Sequence, residues 1–199
     1  MPAPSSEGRI LLNNERDLAR LLMSKRWDFG RGRYYYRVTM ISRGLKVTPD
    51  IDLLNVYVNQ WHPEENTAVG LELKVLKYHA GRERIELTPF YQGLGQVLTY
   101  LQHGIDRTAL ILGFHAETDG YPEEVNVAEE LVKKHSDYLK ESVLRNFPYL
   151  QIAYVRGESL ERVLYSADWE KARFFHQSED SKLRRDSIFK IQFTFEKLE

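Results

Sequence analysis

The sequence predicts an α/β fold in which a mixed central sheet is flanked by helices. Segments with helical periodicity and segments with period-two alternation follow one another in the order α-β-β-β-α-β-α-β between residues 14 and 155. The run Arg107–Phe114 is almost continuously apolar, as is typical of a strand buried on both faces. A chain of 199 residues with 42% hydrophobic and 29% charged residues is long enough to bury such a core.

Composition bounds the class of protein before any motif is considered. No run approaches eighteen consecutive apolar residues, so no membrane span is expected. The first nine residues lack the apolar segment of a secretory signal, and the chain contains no cysteine, which excludes disulfides and thiolate zinc sites. We therefore expect a cytoplasmic protein with a flexible leader at 1–9, a core domain at 10–156 and an extension at 157–199 packed on the same domain.

Charge is distributed unevenly although the net charge is only −1. Residues 20–46 contain eight Lys or Arg and one acid, whereas residues 117–170 contain twelve acids and six bases. This asymmetry fits a protein with one face for a polyanion and another that repels it. Two solvated surfaces without a partner would give the same pattern, and both interpretations stay open.

The first helix is expected at 14–27, with Asn14 as N-cap and Asp17 three residues later as a loose capping box. Its apolar stripe is Leu18, Leu21 and Leu22. Glu15 lies at the edge of that stripe. It is either a first-turn acid favoured by the helix dipole or a carboxylate directed at a site.

Three strands are expected next, at 33–42, 48–54 and 70–78, because each is rich in β-branched or aromatic residues or alternates in polarity. The polar segment 61–66 predicts a turn that makes the last two strands a hairpin. In that hairpin Asp52, Glu72 and Lys74 face the same side.

A second helix is expected at 88–103, with Thr88 as N-cap, Pro89 at N1 and Gly104 as the stop. Gln92, Gln96 and Tyr100 recur at helical spacing and stack along one edge. Gly93 and Gly95 each cost about 1 kcal/mol of helix stability against alanine, which favours a place where another backbone passes close.

After the apolar strand at 107–114, a charged amphipathic helix is expected at 123–146, followed by a strand at 150–155. Six residues are predicted to face inward from that helix: Val127, Leu131, Val132, Leu139, Val143 and Leu144. The remaining pattern is weaker and predicts a short helix at 159–165 and a period-two strand at 188–195.

Two acids and a lysine held close together on a rigid sheet suit divalent-metal chemistry on a phosphate. Asp52, Glu72 and Lys74 provide this combination in the predicted hairpin. The simpler alternative for Glu72 and Lys74 is an ion pair on a solvated sheet face, worth about 0.2–1 kcal/mol. Taken alone that pair favours the simpler alternative; taken with Asp52 and the glutamine helix it favours the metal site.

The same residues, in this order, resemble the PD-(D/E)XK nuclease superfamily over residues 10–115 and as far as the strand ending near 155. The matching segments are Pro49-Asp50-Ile51-Asp52, Glu72-Leu73-Lys74 as the E-x-K motif, and Gln96 to Tyr100 as the Q-x-x-x-Y helix of RecB-type members. Glu15 stands where many members, including archaeal Holliday-junction resolvases, carry a helix glutamate.

The resemblance implies a restriction-endonuclease-like αβββαβ core and a Mg²⁺ cofactor for which Mn²⁺ substitutes. Asp52, Glu72 and the Leu73 carbonyl would hold the metal. Lys74 would act on the attacking water or offset developing charge, and its acidic neighbours favour the second role. Gln96 would position water or phosphate, and Glu15 would hold a second metal through water.

The resemblance also leaves alternatives among these residues. Asp50 has the preceding proline of the motif, but Asp52 opens the apolar part of the strand and is the favoured ligand. Asp50 would then support it or pair with a basic residue. Gln92 is a secondary candidate, and so is Tyr100, whose simplest role is packing against the sheet.

The implied substrate is DNA, cut by an endonuclease. Its phosphates would be contacted by five basic residues: Arg31, Arg33, Arg37, Arg43 and Lys46. Since one such site cuts one strand at a time, a homodimer is an open alternative, although no residue pattern specifies it. The alternative functions are a nuclease-fold module that binds DNA or a protein without cutting, and a purely structural α/β domain.

Overall fold

The computed structural model of the chain describes residues 12–25, 32–40, 50–79, 84–116, 122–142, 150–156, 159–165 and 179–198. The predicted leader at 1–9 lies outside these ranges. The helices are α1 Glu15–Lys25, α2 Thr88–Tyr100, α3 Pro122–Ser142 and α4 Glu179–Phe189. The strands are β1 Arg33–Met40, β2 Asp50–Tyr57, β3 Thr67–Leu76, β4 Tyr78–His79, β5 Arg84–Ile85, β6 Arg107–Phe114, β7 Leu150–Arg156, β8 Ser159–Tyr165 and β9 Phe193–Glu196.

Seven strands form one mixed sheet in the order β8-β7-β6-β3-β2-β1-β9, and β4 and β5 pair separately. Strands β1, β2 and β3 form an antiparallel meander, while β3, β6 and β7 run parallel in the centre. Strands β8 and β9 are the antiparallel edges. The predicted α/β class with a mixed sheet flanked by helices is therefore confirmed.

The sheet has two buried faces, which we name after the helices that cover them. The α2 face carries residues such as Leu54, Leu110 and Ile152, packed with Phe90 of α2 and Val132 of α3. The α1 face carries a second cluster packed with α1, including Leu53, Leu71, Leu73, Ile111 and Leu18. Because both faces are covered, the central strands β6 and β7 read as nearly continuous apolar runs.

Strands β1 and β2 both switch faces at the same level. Tyr36 packs on the α1 face and Val38 on the α2 face, although residues two apart share a face in a regular strand. Across the ladder, Leu53 lies on the α1 face and Ile51 on the α2 face. The residues at the switch are Arg37, which has a positive φ of 45°, and Asp52.

The N-cap predicted for α1 is confirmed, and the N-cap predicted for α2 is not. Asn14 caps α1, because its Oδ1 accepts a hydrogen bond from the Asp17 backbone N–H at 3.1 Å. In turn, Oδ2 of Asp17 accepts a hydrogen bond from the Asn13 backbone N–H at 3.0 Å. The prediction that Thr88 is the N-cap of α2 was wrong, because Leu87 occupies that position without a side-chain cap. Pro89 is still within the first turn, where its missing N–H costs nothing.

Three predictions in the C-terminal half were wrong. Ser159–Tyr165 is an edge strand paired with β7, because sheet pairing overrides the helical spacing of its apolar residues. The strand predicted at 188–195 was wrong only in its first part: Phe193–Glu196 is the strand β9, and the residues before it are the end of α4 and a turn with Ile191 at φ 54°. Val127, expected to face inward from α3, is 41% exposed. No helix within the described ranges has both the length and the apolarity to cross a membrane.

Candidate metal centre

The candidate site lies where β2 and β3 stop pairing. Their ladder ends at the pair Leu53–Leu71, and beyond it the Leu73 backbone N–H donates to the side-chain Oδ2 of Asp52 at 2.9 Å instead of to a backbone carbonyl of β2. In an extended strand the N–H and C=O of one residue point to the same side. The Leu73 carbonyl is therefore directed towards β2, where Asp52 lies.

The Lys74 ammonium is the centre of the cluster. Its Nζ lies 2.5 Å from Oε1 of Glu72, 3.3 Å from Oε1 of Glu15 and 3.9 Å from Oδ2 of Asp52. Three acids from α1, β2 and β3 thus surround one base. The structure brings Asp52, Glu72 and Lys74 together, as the predicted hairpin implies, and adds Glu15 from α1.

Glu72 is completely buried, with 0% of its surface exposed. Its Oε2 accepts a hydrogen bond from the Tyr100 hydroxyl of α2, and Tyr100 itself is 1% exposed. The packing role expected for Tyr100 therefore omitted its contact with the acid. The available signal was its position three residues after Val97, which lies on the buried face of the helix.

Burial makes these acids difficult to ionise. Burial first, and then the charge of Asp52, raise the pKa of Glu72 to about 7. Burial also raises the pKa of Asp52, although the Leu73 N–H and the Lys74 charge oppose the rise. Burial alone would lower the pKa of Lys74, but its hydrogen bond to Glu72 and the surrounding acids outweigh that effect and raise it. Lys74 is therefore an ammonium ion at physiological pH.

The donor types and the charge of the cluster suit a hard divalent cation. Among the described residues no three His, Asp or Glu side chains are arranged as a complete ligand set. Asp52 and Glu72 contribute two carboxylates, and Mg²⁺ is commonly held by one or two carboxylates while keeping several waters. With Glu15 the ionised cluster carries three negative charges against the single positive charge of Lys74. A bound cation would offset that excess.

The other predicted site residues stand apart from this cluster. Gln92 and Gln96 are exposed on α2, and no hydrogen bond in the described part of the chain joins either to Asp52, Glu72 or Lys74. Asp50 is the first residue of β2, but its side chain lies outside the described atoms. Among the basic candidates Arg33 and Arg37 are exposed on β1, whereas Arg31, Arg43 and Lys46 lie outside the described residues.

Gly93 lets α2 approach the site closely. A Cβ at Gly93 would lie 2.6 Å from Cδ1 of Leu110 and 3.0 Å from Cγ of Lys74, so side chains, not a backbone, require the glycine. A Cβ at Gly95 would meet nothing within 4 Å. The prediction of a close backbone next to both glycines was therefore wrong.

Gly93→Ala and Gly95→Ala form a matched pair of substitutions in one helix. Gly95→Ala should stabilise the protein by up to about 1 kcal/mol, because alanine favours the helix and meets no obstacle. Gly93→Ala gains the same propensity but must displace buried Leu110, at a cost of about 1–3 kcal/mol. The free energy of unfolding measured in urea should therefore be higher for Gly95→Ala than for wild type, and lower for Gly93→Ala than for Gly95→Ala. Equal free energies for the two variants would contradict the close packing at Gly93.

In the absence of metal, the free energy of unfolding should fall as the pH rises from about 4.5 to 7. Folded Glu72 has a pKa of about 7 and the unfolded chain about 4.5, so the folded state binds more protons between these values. The loss should begin near pH 4.5, be complete above pH 7 and amount to about 3 kcal/mol. Denaturant unfolding in chelator at several pH values measures it. Glu72→Gln should flatten the profile and the exposed control Glu64→Gln should not; parallel profiles for all three proteins would contradict the raised pKa.

No protein-family profile, no curated protein and no solved structure matches this chain. Any function must therefore be argued from the residues and their geometry. The strongest geometric feature is the group formed by Glu15, Asp52, Glu72 and Lys74 at the opening between β2 and β3.

Proposed function

We propose that this protein is a Mg²⁺-dependent nuclease of the PD-(D/E)XK type that hydrolyses phosphodiester bonds, most simply as a DNA endonuclease. The observation that carries the proposal is the convergence of Asp52, Glu72 and Lys74 at the end of the β2–β3 ladder. An ion pair on a solvated sheet face, the alternative for Glu72 and Lys74, requires exposed partners. Glu72 is fully buried and Lys74 is 9% exposed, which argues against that alternative.

The order of elements supports a restriction-endonuclease-like core. Helix α1 precedes the meander β1–β3, and α2 then leads into β6, which pairs in parallel with β3. This is the αβββαβ order that the resemblance implies. The E-x-K residues Glu72 and Lys74 lie on the central strand of that unit, and Asp52 lies on its neighbour.

In this proposal Asp52, Glu72 and the Leu73 carbonyl hold the cation. Bound Mg²⁺ would supply Lewis-acid polarisation of the scissile phosphate and a more acidic water molecule. The Tyr100 hydroxyl fixes one oxygen of Glu72 and the Leu73 N–H fixes one oxygen of Asp52. Both carboxylates are thereby held in place before a ligand arrives, which avoids reorganisation during the reaction.

Lys74 serves as an electrostatic group. Its raised pKa keeps the amine protonated, so it is poorly suited to remove a proton from water. An ammonium ion next to the phosphate offsets the negative charge that develops in the transition state. Glu15 lies 3.3 Å from Nζ and restrains this ammonium. In this proposal it would also hold a second cation through water. Gln96 is exposed on α2, as a residue that meets substrate would be.

The deciding experiment is relaxation of supercoiled plasmid DNA by the wild-type protein with Mg²⁺, with Mn²⁺ and with chelator. Cutting that requires the metal and disappears in Asp52→Asn supports the proposal. The exposed control Glu64→Gln should cut like wild type. The proposal would be overturned if folded wild-type protein cut neither DNA nor RNA with either metal.

A second candidate function, a nuclease-fold module that binds without cutting, is favoured by one specific contact pattern. Lys74 and Tyr100 together engage both carboxylate oxygens of Glu72, so the cluster is hydrogen-bonded without any cation. Calorimetric titration with Mn²⁺ separates the two functions. DNA binding with no detectable cation binding would favour the second candidate.

A further inference from the structure

Arg37 occupies an unusual backbone position on β1. Its φ of 45° is in the left-handed region, which non-glycine residues rarely adopt. Strand β1 also carries one residue more than β9 between the pairs Tyr36–Glu196 and Thr39–Thr194, so Arg37 lies in a β-bulge. Bulges redirect side chains and are common beside functional sites, and strained residues concentrate there too.

The bulge places Arg37 next to the proposed metal ligand. The flanking pairs Tyr36–Leu53 and Val38–Ile51 put Arg37 directly opposite Asp52 across the β1–β2 ladder. Both residues lie where their strands change face.

Arg37 already has an anionic partner. Its Nη1 lies 3.3 Å from Oε1 of Glu196 on β9, and both side chains are more than half exposed. Such an exposed pair is weak and screened by salt, so a polyanion can displace the carboxylate.

We propose that Arg37 binds the nucleic-acid phosphate next to the metal centre and that Glu196 occupies Arg37 as an internal competitor when nucleic acid is absent. A carboxylate and a phosphate accept the same paired hydrogen bonds from a guanidinium. The β1–β2 register places Arg37 beside Asp52, and β9 supplies the group that substrate must replace. This inference rests on the proposed nuclease function.

The test is binding of a fluorescent 30-base-pair DNA duplex, followed by anisotropy in chelator so that no cutting occurs. Arg37→Gly removes the side chain and also relieves the left-handed strain, so the fold is retained. It should lower affinity about tenfold at low salt and reduce the slope of log affinity against log salt by about 1. Lys134→Ala, an exposed lysine on α3, is the control for a lost positive charge and should bind like wild type.

Glu196→Gln tests whether Glu196 competes with DNA for Arg37. It should raise DNA affinity about two- to fivefold at low salt, with the increase fading as salt screens the pair. In the Arg37→Gly background the same substitution should have a smaller effect, because the partner is gone. Equal effects in both backgrounds, or wild-type affinity of Arg37→Gly, would overturn the inference.

The failures of the two proposals are distinguishable. If wild type cuts plasmid and binds the duplex while Arg37→Gly binds equally well, only the role of Arg37 is wrong. If wild type neither binds the duplex nor cuts with metal, the nuclease proposal fails and the inference that depends on it fails with it.

Discussion

Lys74→Met is expected to reduce metal-dependent DNA cleavage about 10²–10³-fold, the usual effect of removing one transition-state charge partner. Methionine keeps the length and most of the apolar volume of lysine, so packing against Gly93 is retained. Single-turnover cleavage of a plasmid at saturating protein measures the chemical step. A folded Lys74→Met protein that cuts at the wild-type rate would contradict the proposed role of Lys74.

Folding must be separated from chemistry, because Lys74 also neutralises a buried carboxylate. Removing it leaves Glu72 buried with its nearest cation gone, at a cost of about 3–5 kcal/mol. The cost should be smaller at pH 5.5, where Glu72 takes up a proton. The double variant Lys74→Met/Glu72→Gln should recover the stability, which would show that the loss comes from the unneutralised Glu72 carboxylate. Because that variant also lacks a proposed metal ligand, the role of Lys74 in cleavage is measured with folded Lys74→Met alone.

Asp52→Asn is expected to weaken cation binding at least tenfold and to abolish detectable cleavage. The asparagine Oδ1 can still accept from the Leu73 N–H, so the β2–β3 opening is preserved while one negative charge is removed. Loss of that charge should also lower the pKa of Glu72, since Asp52 is one cause of its rise. Mn²⁺ titration by calorimetry and the unfolding free energy in chelator measure the two effects.

The expected pattern for Asp52→Asn is therefore retained or increased stability together with lost metal binding. Glu64→Gln, which removes an exposed acid from the β2–β3 turn, should change neither quantity. Cation affinity unchanged by Asp52→Asn would show that Asp52 is not a ligand. A direct test of Asp50→Asn would then be the next comparison.

The sequence predicts the meander and the buried central strand well because local and global preferences agree there. Alternating polarity placed Asp52, Glu72 and Lys74 on one side of a hairpin, and the apolar run of β6 marked a strand covered on both faces. The face switch at Arg37 and Asp52 leaves no pattern in the sequence. It depends on the bulge against β9, a strand from the far end of the described chain.

Tyr100 and the C-terminal elements show why other parts escape sequence reasoning. Whether a helix tyrosine meets a carboxylate depends on the close approach that Gly93 allows, a tertiary property. The apolar spacing in Ser159–Tyr165 fits a helix, yet pairing with β7 satisfies its backbone as an edge strand. Short segments with mixed signals are decided by their neighbours.

The pairing of β9 with β1 has a consequence for biosynthesis. Strand β1 is synthesised before the strand that covers its outer edge, because β9 is the last of the described elements in chain order. Until then the nascent chain presents an uncovered strand edge, the kind of surface that promotes aggregation. Chaperone dependence during translation is therefore to be expected of this chain.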